Sequence, residues 1–204
     1  MSLSAFLTFA GIYALAVVMP GPGVATVVAR ALASGARRTL PFIWGMVLGD
    51  LVWFAFAAFG LAALAQMLHG LFVAVKYAGV AYLLFMAWKL WTAKPAEPSL
   101  DDDAQGGAGL KLVAAGLSLT LGNPKTMVFF LAILPHVLDL NALGSATFME
   151  LAGAMALILL AAMWAYALLA ARARLMIRDA GKMRTVNRGS ALVMAGAAGA
   201  VAVS

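Results

Sequence analysis

Long apolar runs separated by short polar stretches set the pattern of this chain. The runs cover about residues 3–28, 40–65, 71–91, 111–137, 148–171 and 190 to the C-terminus. A helix needs about 20 mostly apolar residues to cross a hydrocarbon core about 30 Å thick. The pattern therefore predicts six transmembrane helices. The runs are continuous rather than alternating, which argues against a membrane β-barrel. The most polar connection lies at residues 93–110 and holds Pro95, Pro98, Asp101, Asp102, Asp103 and two glycines after Gln105. It divides one transmembrane domain, residues 1–204, into a first half at 1–92 and a second at 111–204.

Two of these runs contain their own interruption. Met19-Pro20-Gly21-Pro22-Gly23 falls inside the first, and Gly122-Asn123-Pro124-Lys125 inside the fourth. Proline removes a backbone donor and clashes with the preceding turn, while glycine permits backbone shapes that other residues resist. An unpaired peptide group in hydrocarbon costs several kcal/mol, so broken backbone persists there only where protein buries it or water reaches it. A discontinuous helix lining a substrate site is the functional expectation; a helix simply stopping at the membrane surface is the structural one. The break recurs in the first run of each half, and this favours the site. The expected architecture is all-α and polytopic, with six helices in two inverted three-helix halves and the first helix of each half broken.

Composition agrees with the pattern. The chain is 65% hydrophobic and 11% charged, with a mean hydropathy of +0.99. It has no cysteine, which excludes disulfides and thiolate metal sites. The net charge of +6 does not point to nucleic acid, because all but two of the 14 Lys and Arg fall in or beside the connections after spans 1, 3 and 5. Such an asymmetry marks the cytoplasmic side and puts both termini on the periplasmic side of the inner membrane. No Lys or Arg precedes Arg30, so the first run is expected to be a retained span rather than a signal peptide. Arg30, Arg37 and Arg38 are read as a loop, and Thr39 as a cap for span 2. The basic run from Arg172 to Arg188 either holds its loop in the cytoplasm or binds anionic lipid.

Chemistry concentrates at few residues. Asp50 lies about ten residues into span 2, roughly 15 Å along the helix and near the midplane. A carboxylate there would exchange a proton, bind a substrate ammonium, or serve as a structural partner for Lys125. Lys125 follows the second break, where it would meet a substrate carboxylate or neutralise Asp50. Asn123 is the expected cap of the half-helix that starts at Pro124. Pro20, Gly21, Pro22, Gly23, Gly122 and Pro124 would line the route. Lys76 is expected to snorkel outward, and His69 and His136 to sit near the outer ends of spans. Gly45 and Gly49 have the spacing of close helix packing, as do Ala191, Ala195 and Gly199. These stripes pack either within the monomer or across a homodimer. No nucleotide loop, metalloprotease motif or catalytic triad is present. No cofactor, bound metal or enzymatic activity is expected.

The motifs in order have a further implication. Pro20-Gly21-Pro22, a basic stretch, and Gly45-x3-Gly49-Asp50 resemble the first half of the LysE/RhtB family of amino-acid exporters. Gly122-Asn123-Pro124-Lys125, then Phe129-Phe130 and Leu134-Pro135, resemble its second motif, and residues 82–92 the end of its third span. The resemblance covers nearly the whole chain. It implies an inner-membrane secondary transporter that exports amino acids or close derivatives, coupled to the proton-motive force, with protons, an amino acid and lipid as its partners. Gly23 stands where the family often has Asn, and His136 where it often has Gln. Export of a divalent cation is the alternative cargo. A membrane-embedded, metal-dependent enzyme using Asp101 to Asp103 is the alternative of another class. A third is a non-catalytic assembly subunit packed through the small-residue stripes.

Overall fold

The computed structural model describes residues 2–19, 21–58, 106–130, 144–175 and 180–202, with scattered positions between 77 and 92. Seven helices are described: α1 (Leu3–Val18), α2 (Pro22–Ser34), α3 (Ala36–Ala58), α4 (Gly106–Leu121), α5 (Pro124–Val128), α6 (Ser145–Leu175) and α7 (Ala180–Ala202). The chain is an all-helical, polytopic membrane protein. By length and apolarity α3 and α6 each suffice to cross a bilayer, and α1 with α2, bent by 57°, passes the same test when the two are taken together.

Sequence chemistry explains the first bend. An α-helix pairs each carbonyl with the N–H four residues on. The partner of the Val18 carbonyl would be the nitrogen of Pro22, which carries no hydrogen. α1 therefore ends, closed by the Met19 N–H on the Leu15 carbonyl at 3.0 Å. Gly21 is extended, with φ −169° and ψ −176°, and α2 begins with Pro22 in its first turn. That helix runs past the expected end of span 1 and stops at Gly35, whose φ of 86° suits glycine alone. α3 starts at the next residue.

The basic stretch after span 1 is thus helical rather than a loop. Arg30 lies within α2, 4% exposed, with its guanidinium 5.4 Å from the centre of the Phe42 ring. A cation over an aromatic face is favourable when both leave water, and this is how a charge read as a surface marker becomes part of the core. Thr39 does not cap α3; it lies in that helix's first turn, and its hydroxyl donates back to the Gly35 carbonyl.

α3 is the central post. It packs on α2, α4 and α6, while α2 also packs on α6 and α7, and α1 on α6. Its contact with α4 is a glycine crossing. A Cβ on Gly45 would overlap the Val113 carbonyl, and one on Gly116 would overlap the Phe42 carbonyl. One turn on, a Cβ at Gly49 would come within 2.6 Å of the Thr120 side chain. Gly45 faces Val113 and Leu117, and Gly49 faces Leu117 and Thr120, so the contact advances along both helices together and α3 and α4 run in the same direction. Gly45 and Gly49 are therefore spent inside the monomer. The stripe on α7 is not buried throughout within one chain, because Ala191 is buried while a Cβ on Gly199 would meet open space.

α6 shows what the bilayer demands of a long span. At 1.5 Å per residue its 31 residues extend about 46 Å, more than the hydrocarbon core. Leu151, Met155, Leu159, Met163 and Ala167 recur every four residues on its buried face, and Met149, Leu157, Leu168 and Leu169 are exposed. The distal end of this helix returns to the α2–α3 turn, where Arg174 approaches Gly35.

Candidate functional site

Both helix breaks open onto one cavity of about 60 Å³. Asp50 from α3, Gly21 and Gly23 from the first break, and Asn123 and Lys125 from the second all line it. The backbone of Gly122 and Pro124 completes the second break, between α4 and α5. Pro22 opens α2. Pro20 lies outside the described residues, as do Lys76, His69, His136 and the Asp101 to Asp103 run.

The second break satisfies itself. Asn123 is the cap the sequence predicts, its side-chain oxygen accepting from the Lys125 N–H at 3.1 Å. Pro124 deprives the Thr120 carbonyl of its helical partner, and the Asn123 N–H takes the vacant place at 3.2 Å. The first break is satisfied from a distance. The Tyr166 hydroxyl of α6 donates to the Val18 carbonyl at 3.0 Å. The Lys125 ammonium donates to the Met19 carbonyl at 2.5 Å. Each cap also places positive charge or a donor at the negative end of α1.

Asp50 is 7% exposed. It makes no ion pair with Lys125; its carboxylate accepts instead from the Tyr13 hydroxyl at 2.5 Å. Tyr13 is 1% exposed and held by rings on three sides. It stacks on Phe9 at 6.0 Å and is tilted against Phe129 at 5.6 Å and Phe130 at 6.4 Å. The ring cage fixes where the hydroxyl points, and the hydroxyl fixes the carboxylate.

Tyr13 and Tyr166 escape a reading by sequence. The one available signal is that a buried tyrosine hydroxyl requires a partner, and all four tyrosines lie within the long apolar runs, so nothing singles out these two. Which partner each takes depends on contacts between residues 37 and 148 positions apart.

The donor set decides what the cavity can hold. One carboxylate, one ammonium, one amide and the hydroxyls of Tyr13, Thr120 and Thr126 suit a small zwitterion, whereas a divalent cation prefers several anionic oxygen ligands and no ammonium beside it. Among the described residues no group of three His, Cys, Asp or Glu gathers in one place.

The LysE type translocator family model matches residues 14–204. The chain is 29% identical over 126 residues to a leucine efflux protein of Klebsiella pneumoniae, covering 62% of this chain and 59% of that protein. It is 31% identical over 134 residues to a leucine efflux protein of Enterobacter, covering 64% and 62%. An uncharacterized membrane protein of Vibrio cholerae is 28% identical over 185 residues, covering 90% and 88%. The matches thus span about three fifths of the two efflux proteins' length. No solved structure matches. With the family model covering both helix breaks and Asp50, the chain belongs to the LysE type translocators.

Proposed function

We propose that this protein exports amino acids across the inner membrane by alternating access, driven by exchange with protons. The observation that carries the reading is the meeting of two broken helices around a cavity lined by a carboxylate and an ammonium, Asp50 and Lys125, each hydrogen-bonded to another group. The names of the efflux relatives fit it.

The chemistry follows from the site. The substrate ammonium binds Asp50. The substrate carboxylate binds Lys125 and the first amides of α2, where Gly21 offers no capping side chain and the helix end favours an anion. A proton and a substrate ammonium compete for the same carboxylate. Asp50 therefore holds one or the other, and this exclusivity is the basis of exchange. Coupling further requires that the two occupants favour different conformations.

The mobile element is α2. A cavity of about 60 Å³ holds a few waters, at about 10–15 Å³ each, so an amino acid enters only when a wall moves. Gly21 and Gly35 bracket α2. On its far side an apolar groove of about 700 Å³ runs along its contact with α7 and leaves it room to shift. Asn187 and Ser190 of α7 each carry a buried side-chain oxygen without a hydrogen-bond partner. Such groups are costly, which favours a second arrangement of this interface.

Orientation rests on charge. Arg38 and Arg174 lie near enough to interact, and Arg188 stacks over Trp91 at 5.1 Å. The basic connections after spans 1, 3 and 5 thus share one end of the molecule, which we assign to the cytoplasm. The parallel course of α3 and α4 suits halves inserted with opposite orientation.

The test is efflux from cells preloaded with a mixed amino-acid pool, comparing the intact chain with Asp50→Asn at matched membrane expression. The expected result is faster loss of one or a few amino acids, abolished by the substitution. Unchanged rate and pH dependence in Asp50→Asn would remove Asp50 from the mechanism. Loss of no amino acid from the intact chain would sink the exporter reading.

A further inference from the structure

The cavity has an apolar part that the zwitterion chemistry does not use. Met46 and Asp50 lie four residues apart on α3 and so share one helix face, with Cβ atoms about 5–6 Å apart. The thioether of Met46 therefore stands one turn from the carboxylate, within the span of a single amino acid. Leu159 and Met163, 4% and 1% exposed, line the same cavity from α6 and are likewise one turn apart.

Gly23 determines where Met46 lies. A Cβ at position 23 would come within 2.8 Å of the Met46 methyl, closer than real Cβ atoms approach their neighbours. The methyl thus occupies space that any larger residue at 23 would claim. Met46 is also well suited to yield. It is unbranched, with three rotatable bonds, and refits easily around a new shape.

We infer that Met46, seated against Gly23 and backed by Leu159 and Met163, forms the subsite for the substrate's side chain and sets the largest side chain accepted. This inference rests on the amino-acid exporter reading. The substrate class is an α-amino acid with an uncharged, apolar side chain, which displaces the Met46 thioether as it binds. A charged side chain is rejected, because these groups offer it no partner.

The test is competitive efflux from cells preloaded with equal amounts of alanine, leucine, phenylalanine and lysine, at matched membrane expression. The intact chain exports the apolar amino acids in preference to lysine. Met46→Ala removes three heavy atoms and raises phenylalanine export relative to leucine about tenfold or more, since even one methylene is worth about 10–200-fold in an apolar pocket. Gly23→Ala drives the thioether into the cavity and shifts preference the other way, toward alanine. Leu48→Ala, on an exposed part of α3, leaves the ratios unchanged. If Met46→Ala does not reach the membrane, Leu159→Ala replaces it with the same expected direction.

Ratios that stay constant in Met46→Ala and Gly23→Ala, while all rates change together, overturn the subsite and leave the exporter reading standing. Preferential lysine export by the intact chain also overturns it. Export of no amino acid by the intact chain overturns both.

Discussion

The two helix breaks solve one problem in opposite ways. Each has a proline that leaves an upstream carbonyl without its helical donor. At the second, residues 122–125 supply their own replacements, with the Asn123 side chain capping α5 and the Asn123 N–H meeting Thr120. At the first, Gly21 caps nothing, and the Val18 and Met19 carbonyls depend on Tyr166 and Lys125 from the other half of the chain. A break held by its own residues keeps its shape whatever surrounds it. A break held by distant side chains changes when those side chains move. On the proposed reading the first is the gate and the second the fixed frame, and Lys125 belongs to both.

The comparison breaks most sharply if α2 is immobilised. Val28 of α2 and Val193 of α7 face the same groove, and the chain has no native cysteine to interfere. Val28→Cys with Val193→Cys, joined by a short cleavable bifunctional thiol reagent, is expected to lose nearly all export and to recover it on reduction. Full export while joined would show that α2 is not the gate.

A smaller effect is expected at the shared residue. Lys125→Met removes the donor to the Met19 carbonyl and the cation for a substrate carboxylate together. Export should fall about 100-fold or more. A charge-assisted hydrogen bond is worth about 1.5–3 kcal/mol, and 1.4 kcal/mol is tenfold. Lys125→Arg keeps the charge but not the compact ammonium, and should recover only part of the rate. Equal loss in both variants would mean that the ammonium's shape, rather than its charge, matters. Wild-type export in Lys125→Met would detach Lys125 from the gate altogether.

Tyr13→Phe probes the carboxylate without touching either break. It removes one hydrogen bond to Asp50 and leaves the ring cage intact. Export should slow by about 10–100-fold, the worth of a hydrogen bond to a charged group, and its pH profile should shift while the amount of inserted protein stays the same. An unchanged profile would make Tyr13 a packing residue only.

What the sequence discloses about these regions follows from the range of each interaction. The breaks are legible because proline and glycine act on their own turn. The Asn123 cap is legible because it spans two residues, and Gly45 and Gly49 because their spacing implies a close neighbour. Asp50 stands out as a charge within a long apolar run. The first break's partners are hidden because Tyr166 and Lys125 reach it from 148 and 106 positions away. Span 1 reads as too short for a related reason: Arg30 marks a surface unless Phe42 is known to lie beneath it.

The mildest prediction separates the two breaks most cleanly. Tyr166→Phe and Asn123→Ala each delete one neutral hydrogen bond at a helix break, worth about 1 kcal/mol. If the bonds served stability alone, both variants would lower the melting point in detergent by similar small amounts and leave transport alike. The contrast between the breaks predicts otherwise. Asn123→Ala loosens the frame that positions Lys125, so substrate binding weakens several-fold. Tyr166→Phe releases the Val18 carbonyl, which biases α2 toward its other position and changes the maximal rate several-fold while binding holds. Measuring concentration dependence and maximal rate for both variants decides the matter. The same change in the same parameter would mean that the two breaks are equivalent, and the assignment of gate and frame would fall.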